Sequence, residues 1–522
     1  MAIQIYSKSY SGIRAFPKLF ADYTENKDFL RTFFGFPPEK EHITDQILLK
    51  SQSFSKEKRE RLAETIRASY GQIKPSPAQI KNLESLKEEN TFTISCGHQL
   101  NLAGGPMYVA FKILTILRYC DFLNHEFPEY QFVPVHWLAN EDHDLDEISA
   151  FTFFGQSHSF RPEGSGASGA VSARGLAGQM RSIRDMPSWM PEAYEACENL
   201  NDATIRWLQH AFGESGLLVL DASQKSLKES FLPFALSELK DGWVEKEVLK
   251  QTERLEASGY KAQLYPRPIN LFYLAEGERL RLERSSDGYQ THDGKYRWSE
   301  NEAVEFFTAN PEKLSPNVAF RPLYSQLILP DVAFVGGPAE ISYWLQLKTV
   351  FEKTGTPFPV LIPRFSGMYI SSNQKGRMEK LGLSEEDLFL EEHQIRKEIT
   401  RMEWQKPDLE EVYAGLISLC RETDPTLVPA LKSELVKIEK QMEGFEKRMV
   451  KAAEQKKEQE ITQIKNLLAK LFPDGGLQER KESWLSFLVG NPGWLSQVKD
   501  CIVPFDFRFV VMMEEKEPSD GK

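Results

Sequence analysis

Two short stretches of this 522-residue chain crowd together side chains that can do chemistry. The first is Cys96-Gly-His-Gln-Leu-Asn-Leu-Ala-Gly-Gly-Pro-Met-Tyr108. Glycine directly after a strand permits a tight turn and close backbone approach, and a helix that follows offers unpaired N–H groups to an anion. A phosphate or carboxylate is therefore expected beside Gly97, with His98 and Gln99 as side-chain donors. The Gly-Lys-Ser/Thr ending of a Walker loop is missing, and so is the Gly-x-Gly-x-x-Gly of a dinucleotide fold. The competing reading is a turn with a purely structural job.

The second stretch is Trp137-Leu-Ala-Asn-Glu-Asp-His-Asp-Leu-Asp-Glu-Ile148, where five carboxylates and one histidine fall within the seven residues from Glu141 to Glu147. Like charges this close raise one another's pKa, a perturbation typical of functional sites. Asp142, His143 and Asp144 are the candidate proton acceptors, and His143 could share a helical face with Glu147, four residues on. A metal-dependent hydrolase or transferase built on Asp142 to Glu147 is the rival activity, but the second histidine of His-Glu-x-x-His is absent and no metal is assigned. The bland reading is a solvated acidic helix start favoured by the helix dipole.

A third stretch joins Asn317-Val-Ala-Phe-Arg-Pro-Leu-Tyr324 to Val335-Gly-Gly-Pro-Ala-Glu-Ile-Ser-Tyr-Trp344. Gly336-Gly337-Pro338 breaks a strand and launches a helix, as the first turn does. Arg321 and Arg267 are candidate anion clamps, since a guanidinium grips a carboxylate or phosphate bidentately. Either could instead be an ordinary surface arginine. Cys96, beside the first turn, reads as a small buried apolar residue before it reads as a nucleophile.

These segments need elements to hold them. The runs Thr91–Cys96 and Phe132–Ala139 read as buried strands on either side of an apolar helix over Tyr108–Leu117, a βαβ unit whose strands must be parallel and joined by a right-handed crossover. The fold class is thus α/β, a doubly wound parallel sheet, and ligands in such sheets bind beyond the carboxyl ends of the strands. Further strands are expected at Leu217–Leu220, Asn270–Leu274, Val332–Val335 and Phe358–Ile362, and charged helices over 54–70 and 76–88, the second capped at Ser76-Pro77. Gly164–Gly169 reads as a loop. From Leu431 the apolar positions Leu435, Ile438, Met442, Phe445, Met449 and Ala452 step by four and three, then resume at Ile461, Ile464, Leu468 and Leu471, the seam of a coiled coil. Helices over Ser384–Met402 and Asp408–Cys420 are expected to accompany it, and Pro473-Asp-Gly-Gly476 to end it. An intermolecular dimer arm is preferred to an intramolecular hairpin. The expected division is a helical and extended segment at 1–90, a catalytic core at 91–375 with an inserted subdomain at about 150–320, a coiled coil at 380–475, and a segment at 476–522 that returns to the core.

Bulk properties exclude several classes. A net charge of -12 argues against a general nucleic-acid binder, which needs clustered basic surface. No run of about 18 apolar residues suggests a spanning helix, and Met-Ala-Ile-Gln-Ile-Tyr-Ser-Lys does not read as a secretory signal. Five scattered cysteines without a Cys-x-x-Cys pair fit a reducing, cytoplasmic setting.

Taken jointly, Gly97-His-Gln99 with Gly105-Pro106, Glu141-Asp-His-Asp144 with Glu147, Pro266-Arg267 with Asn270-Leu-Phe-Tyr273, Asn317 with Arg321-Pro322, Gly336-Gly-Pro with Glu340 and Tyr343-Trp344, and Leu471-Phe-Pro with Leu477-Gln-Glu-Arg480 resemble the cysteine-adding enzymes of bacillithiol biosynthesis. The resemblance spans most of the chain from about residue 90. It implies a Rossmann-like core with connecting-peptide insertions similar to those of class I aminoacyl-tRNA synthetases, a C-terminal α-helical coiled-coil domain and a homodimer. The implied reaction is a ligase's, joining L-cysteine to the amino group of glucosaminyl malate, with ATP or ADP as the suspected nucleotide. Gly97-His98-Gln99 would take the place of the synthetases' His-Ile-Gly-His signature, without its first histidine. On this reading His98, Gln99, Asp142, His143 and Asp144 are catalytic. Asn101, Glu141, Glu147, Arg267, Asn270, Arg321, Glu340 and Tyr343 bind substrate, and Gly97, Gly336 and Gly337 bind nucleotide. A non-catalytic scaffold working through its coiled coil is the third alternative.

Overall fold

Five short runs rich in β-branched and aromatic residues build one sheet: β1 (Thr91–His98), β2 (Gln131–Leu138), β3 (Leu218–Asp221), β4 (Asp331–Gly336) and β5 (Val360–Pro363). These strands of the computed structural model, which describes residues 3–391, 393–395 and 408–515, are all parallel and lie in the order β5-β4-β1-β2-β3. That is the 3-2-1-4-5 order of a Rossmann-like sheet lacking its sixth strand, and the strand order reverses between β1 and β4, where such sheets open a crevice at their carboxyl ends. Nearly every residue of the five strands is buried, as a parallel sheet covered on both faces requires. Pro134 sits in the interior strand β2, yet β3 pairs only from Val135 onward, so the missing N–H lies beyond the reach of that neighbour. At the start of β4 the buried Asp331 carboxylate accepts from Thr93 (3.0 Å), Ser95 (2.6 Å) and Gln326 (2.9 Å).

The helix Met107–Glu126 between β1 and β2 is apolar almost all round and correspondingly buried against both strands. It begins at Met107, one residue before the expected start at Tyr108, and runs on to Glu126, and the Met107 N–H is already bonded to the Glu482 carbonyl at 2.8 Å. The first helical N–H is therefore not available to an anion.

Because Leu218–Asp221 is an edge strand of the core sheet, the stretch from about 150 to 320 consists of two separate excursions. The first, after β2, holds the hairpin Ala150–Phe153 with Gln156–Ser159 and three helices, Leu176–Arg181, Trp189–Glu195 and Leu200–Phe212. The second, after β3, holds the helices Lys225–Asp241 and Trp243–Ala257 and then an antiparallel sheet in the order Arg297–Ser299, Gly288–Thr291, Glu278–Ser285, Leu271–Ala275, Leu314–Pro316. The expected strand at Asn270–Leu274 thus belongs to this sheet and not to the core. Helices Lys56–Ser69 and Pro77–Ser85 stand where the charged amphipathic pattern puts them, the second closed by a capping box between Ser76 and Gln79.

The chain divides into two units, one comprising residues 5–368 with 476–512 and the other built around 369–475. In the second unit the long helix Leu427–Lys456 is interrupted at Lys457 and resumes as Glu458–Leu471, before a 3-10 turn at Pro473–Gly475. Leu435 of the long helix packs with Leu409 and Ile417 from the short helices Leu409–Val412 and Ala414–Thr423, and Val428, Leu431, Ile438 and Met442 surround them. The first half of the heptad seam is thus buried within its own chain, whereas Phe445 farther along is 63% exposed. At Ser384, where a helix is expected, the described residues show a 3-10 turn over Asp387–Phe389; residues 396–402 of that expected helix lie outside the described residues.

Candidate functional site

A cavity of about 550 Å³ opens at the carboxyl ends of the core strands, and its walls come from all five of them and from the second excursion. β1 ends in Gly97 and His98, followed by Gln99; β2 runs on into Asn140, Glu141 and Asp142; Ala222 follows β3; Gly337, Pro338 and Glu340 follow β4; Arg364 follows β5. Phe272, Arg279, Pro316 and Asn317 close one side and Arg480 another. Gly97 is needed for its closeness to β2, since a Cβ there would lie 3.3 Å from that of Trp137.

Four ion pairs neutralise most of the charge around this space. Lys112, a cation in the apolar first half of its helix with its side chain 4% exposed, pairs with Glu340 and donates to the Gly97 carbonyl at 2.9 Å. Lys228, fully buried, meets Glu141 at 2.6 Å, and Ser315 donates to the other oxygen of that carboxylate. Arg279 lies flat over Phe272, 4.0 Å from the ring centre, and reaches Asp142 at 3.6 Å and His143 Nδ1 at 3.2 Å. Arg364 and Glu479 form a buried pair at 2.6 Å. Burial alone would raise the Asp142 carboxyl, but the Gln99 hydrogen bond, Arg279 and the His143 amide bring it below the usual carboxylate range. Gln99 Nε2 bridges Asp142 and Glu147, each at 2.9 Å.

Two cations are left over. Arg321 donates to the Tyr343 hydroxyl at 2.9 Å, and Arg480 lies over the Tyr108 ring at 5.8 Å; among the described residues no carboxylate pairs with either. Burial pushes the Tyr343 and Tyr108 hydroxyls up to about 12, so both stay protonated. The His98 imidazole is held well below its ordinary value by burial and then by the Lys112 ammonium, so it is neutral. His98 contacts Tyr108 and, through Nδ1, the Asn101 amide at 2.7 Å.

With this geometry in place, the comparison with known proteins is direct. Residues 1–365 match the family model described as the N-terminal Rossmann-like domain of bacillithiol biosynthesis BshC, and residues 367–514 match its C-terminal coiled-coil domain. The chain belongs to the BshC family. A relative from Flavobacterium johnsoniae, named "Putative cysteine ligase BshC", is 34% identical over 499 residues, covering 92% of this chain and 94% of that protein. A similarly named protein of Cytophaga hutchinsonii is 34% identical over 501 residues, covering 94% and 95% respectively. One from Bacillus cereus is 27% identical over 505 residues, covering 88% and 91%.

Within this BshC fold, the structure gathers Gly97, His98, Gln99, Glu141, Asp142, Glu147, Arg321, Gly337, Glu340 and Tyr343 around one cavity. Other residues singled out in the sequence stand apart from it. Asp144 caps the short helix Leu145–Ile148 by accepting from the Glu147 N–H at 3.2 Å, and the half-exposed His143 does not line the cavity. Asn270 is fully buried and spent on Glu238, Arg267 and Asn317, while Arg267 is an exposed loop residue. Asn101 is buried and turned to His98, and Gly336 serves through its carbonyl, which accepts from the Arg364 N–H at 2.8 Å. Cys96 is fully buried at 3.3 Å from His136, and burial drives its thiol far above the ordinary range, which leaves no thiolate to attack.

Sequence reasoning missed Tyr108, Lys112, Lys228, Arg279, Arg364 and Arg480. Four carried a signal: Tyr108 ends the first dense stretch. Lys112 is a charge inside an apolar helix, Arg364 follows the last strand directly, and Arg480 closes the Leu477–Arg480 motif. Lys228 and Arg279 carried none, because only the packing of the second excursion brings them to Glu141 and Asp142.

Proposed function

We propose that the protein is a cysteine ligase acting in bacillithiol biosynthesis, which joins the carboxyl group of L-cysteine to the amino group of glucosaminyl malate. The observation that carries this reading is the residual charge of the cavity. Among the described residues Arg321 and Arg480 have no carboxylate of their own, and Asp142 and Glu147, bridged by Gln99, face the same space. A ligand that brings an ammonium group to one side and carboxylate or phosphate groups to the other completes both sets. The family membership and the curated names of the relatives point to the same chemistry.

In the proposed reaction the amine nitrogen attacks the acyl carbon of an activated cysteine. The new C–N bond forms as the bond from that carbon to its leaving group breaks, and the leaving group departs with the electron pair. Activation is the chemistry that ATP, when bound, supplies; Arg321 and Arg480 are the cations on hand for its phosphates, with the Gly97 and Gly337 turns beside them. The proton lost from the amine passes to Glu147, whose carboxylate faces the cavity with Gln99 as its partner, because Asp142 is already claimed by Gln99 and Arg279. His98 supplies an N–H donor to the developing negative charge. Glu141, Asp142 and Glu147 are engaged with Lys228, Arg279 and Gln99, and among the described residues no group of three His, Cys, Asp or Glu side chains converges as metal ligands do. The metal-hydrolase alternative therefore gains no support from geometry.

The reading extends to a cytoplasmic homodimer joined through the helical unit, for which the exposed Phe445 face of the long helix is the natural surface. No helix among the described residues is long and apolar enough to cross a membrane. The test is thiol profiling of a host strain lacking the gene and then restored with wild type or with Glu147→Gln. Loss of the cysteinyl thiol with build-up of glucosaminyl malate, reversed by wild type and not by the variant, supports the reading. An unchanged profile in the deletion strain overturns it.

A further inference from the structure

His98 has two ring nitrogens, and which one carries the proton decides whether the ring offers the cavity a donor or an acceptor. Around Nδ1 the structure places two groups. The Asn101 side-chain amide lies 2.7 Å away and the Gln99 carbonyl 3.3 Å away. The same Asn101 Nδ2 is also 3.5 Å from the Gln99 carbonyl, which can only accept. If Nδ1 bore the proton, the Asn101 amide would have to turn over to receive it, and its oxygen would then face the Gln99 carbonyl oxygen. A protonated Nδ1 would have the Gln99 carbonyl, 3.3 Å away, as an acceptor, but the closer group, at 2.7 Å, is the Asn101 amide, which with Nδ1 unprotonated donates to the ring and to the Gln99 carbonyl in one orientation. Among the described residues nothing hydrogen-bonds Nε2, and the ring lines the cavity.

The chain is built to keep Asn101 there. Its side chain is 4% exposed. Gly105 adopts φ +70°, and a Cβ at that position would lie 2.7 Å from the Asn101 Cβ and 3.0 Å from its Cγ. The glycine of Gly105-Pro106 thus makes room for the asparagine as well as for the turn.

We propose that Asn101 is a positioning residue: by donating its amide to Nδ1 it keeps the proton of His98 on Nε2 and aims that N–H into the cavity. This deepens the reading of the site as a ligase, in which His98 stabilises negative charge as the amide bond forms. The ring then acts as a hydrogen-bond donor and not as a base. The surroundings agree, since burial and the Lys112 and Arg364 cations oppose a second proton on His98.

The experiment is nitrogen-15 NMR of the full-length protein labelled at histidine, with the His98 signals assigned by their loss in His98→Gln. The wild type should show Nδ1 unprotonated and Nε2 protonated near neutral pH. A protonated Nδ1 overturns the proposal without any variant having to fold. In Asn101→Asp the carboxylate should draw the proton to Nδ1, and the kcat for cysteinyl transfer should fall about 100-fold with KM held within about twofold. An Asn101→Asp protein that shows the reversed tautomer yet keeps wild-type kcat removes the positioning role while leaving the tautomer intact. Failure of the wild type to form the cysteinyl product would count against the ligase reading alone, since the wild-type spectrum tests the tautomer independently.

Discussion

Gly104-Gly105-Pro106, six residues past the end of β1, and Gly336-Gly337-Pro338, starting on the last residue of β4, are the same three letters, each leading into a helix, and they do different work. After β1 both glycines adopt positive φ, +76° and +70°, and each lies against a side chain that leaves no room for a methyl group, Trp484 in one case and Asn101 in the other. After β4 the backbone is ordinary. Gly337 sits at φ -75° as the residue before the helix, and its N–H is received by Glu340 at 2.9 Å. The first turn is a long loop that displays His98, Gln99 and Asn101; the second is a helix start. What they share is the Lys112–Glu340 pair, one partner from the helix after each turn. Identical short motifs ahead of a helix therefore do not imply matching function; the backbone angle and what each Cα abuts decide it.

Cutting the link between the two turns should have the largest effect. Lys112→Met takes the cation from the Glu340 carboxylate, leaving it the Gly337 N–H, and the donor from the Gly97 carbonyl, and should cost about 3 kcal/mol in urea unfolding. The double variant with Glu340→Gln should recover about 1 kcal/mol, and no recovery would mean that the pair is not what couples the turns. Gly105→Ala comes next. The strained φ and the contact with Asn101 should cost about 2 kcal/mol and lower turnover as well.

Acid sensitivity should also reside on the β1 side. His136 of β2, 2% exposed and beside Cys96, is held by burial at about 3, far below the unfolded value of about 6.5. Above pH 6.5 both states are neutral there and stability is unaffected. As pH falls from 6.5 the unfolded chain takes up a proton that the folded chain refuses, so stability should drop by about 2 kcal/mol by pH 5. The loss should be smaller in His136→Gln, as read from urea midpoints across that range. Gly337→Ala should have the smallest effect on stability, within about 0.5 kcal/mol, because its nearest neighbour, Arg364, would be 3.4 Å from the new methyl. A large loss there would erase the contrast between the turns.

The parallel strands and the two chemically dense segments were legible because each depends on local pattern: apolar runs of strand length followed by glycine or by crowded carboxylates. The insertion was harder. Asn270-Leu-Phe-Tyr-Leu274 has the composition of a core strand, and only its pairing with Leu314–Pro316 and Glu278–Ser285 assigns it to the second sheet. Within the site, pattern marked the acidic residues and left their partners unseen, since Lys228 and Arg279 are about 90 and 140 positions from Glu141 and Asp142. Asp144 and His143 illustrate the converse. They belong to the dense segment, but a helix cap and a surface position claim them. Charge density in sequence located the site; partner assignment required three dimensions.

The segment 476–512 supplies Glu479 to hold Arg364, Arg480 to the cavity, the Glu482 carbonyl that receives the Met107 N–H, and the Trp484 indole that donates to the Gly104 carbonyl at 2.9 Å. On the ribosome, then, the parallel sheet can be synthesised in full well before its binding site exists. At about 5 to 20 residues per second, the interval between emergence of β5 and of Trp484 is some seconds to tens of seconds. During that time the Gly104 loop and the start of the helix after it lack their closing contacts. A nascent chain halted in this window would carry the strands of the sheet without the residues that close the cavity.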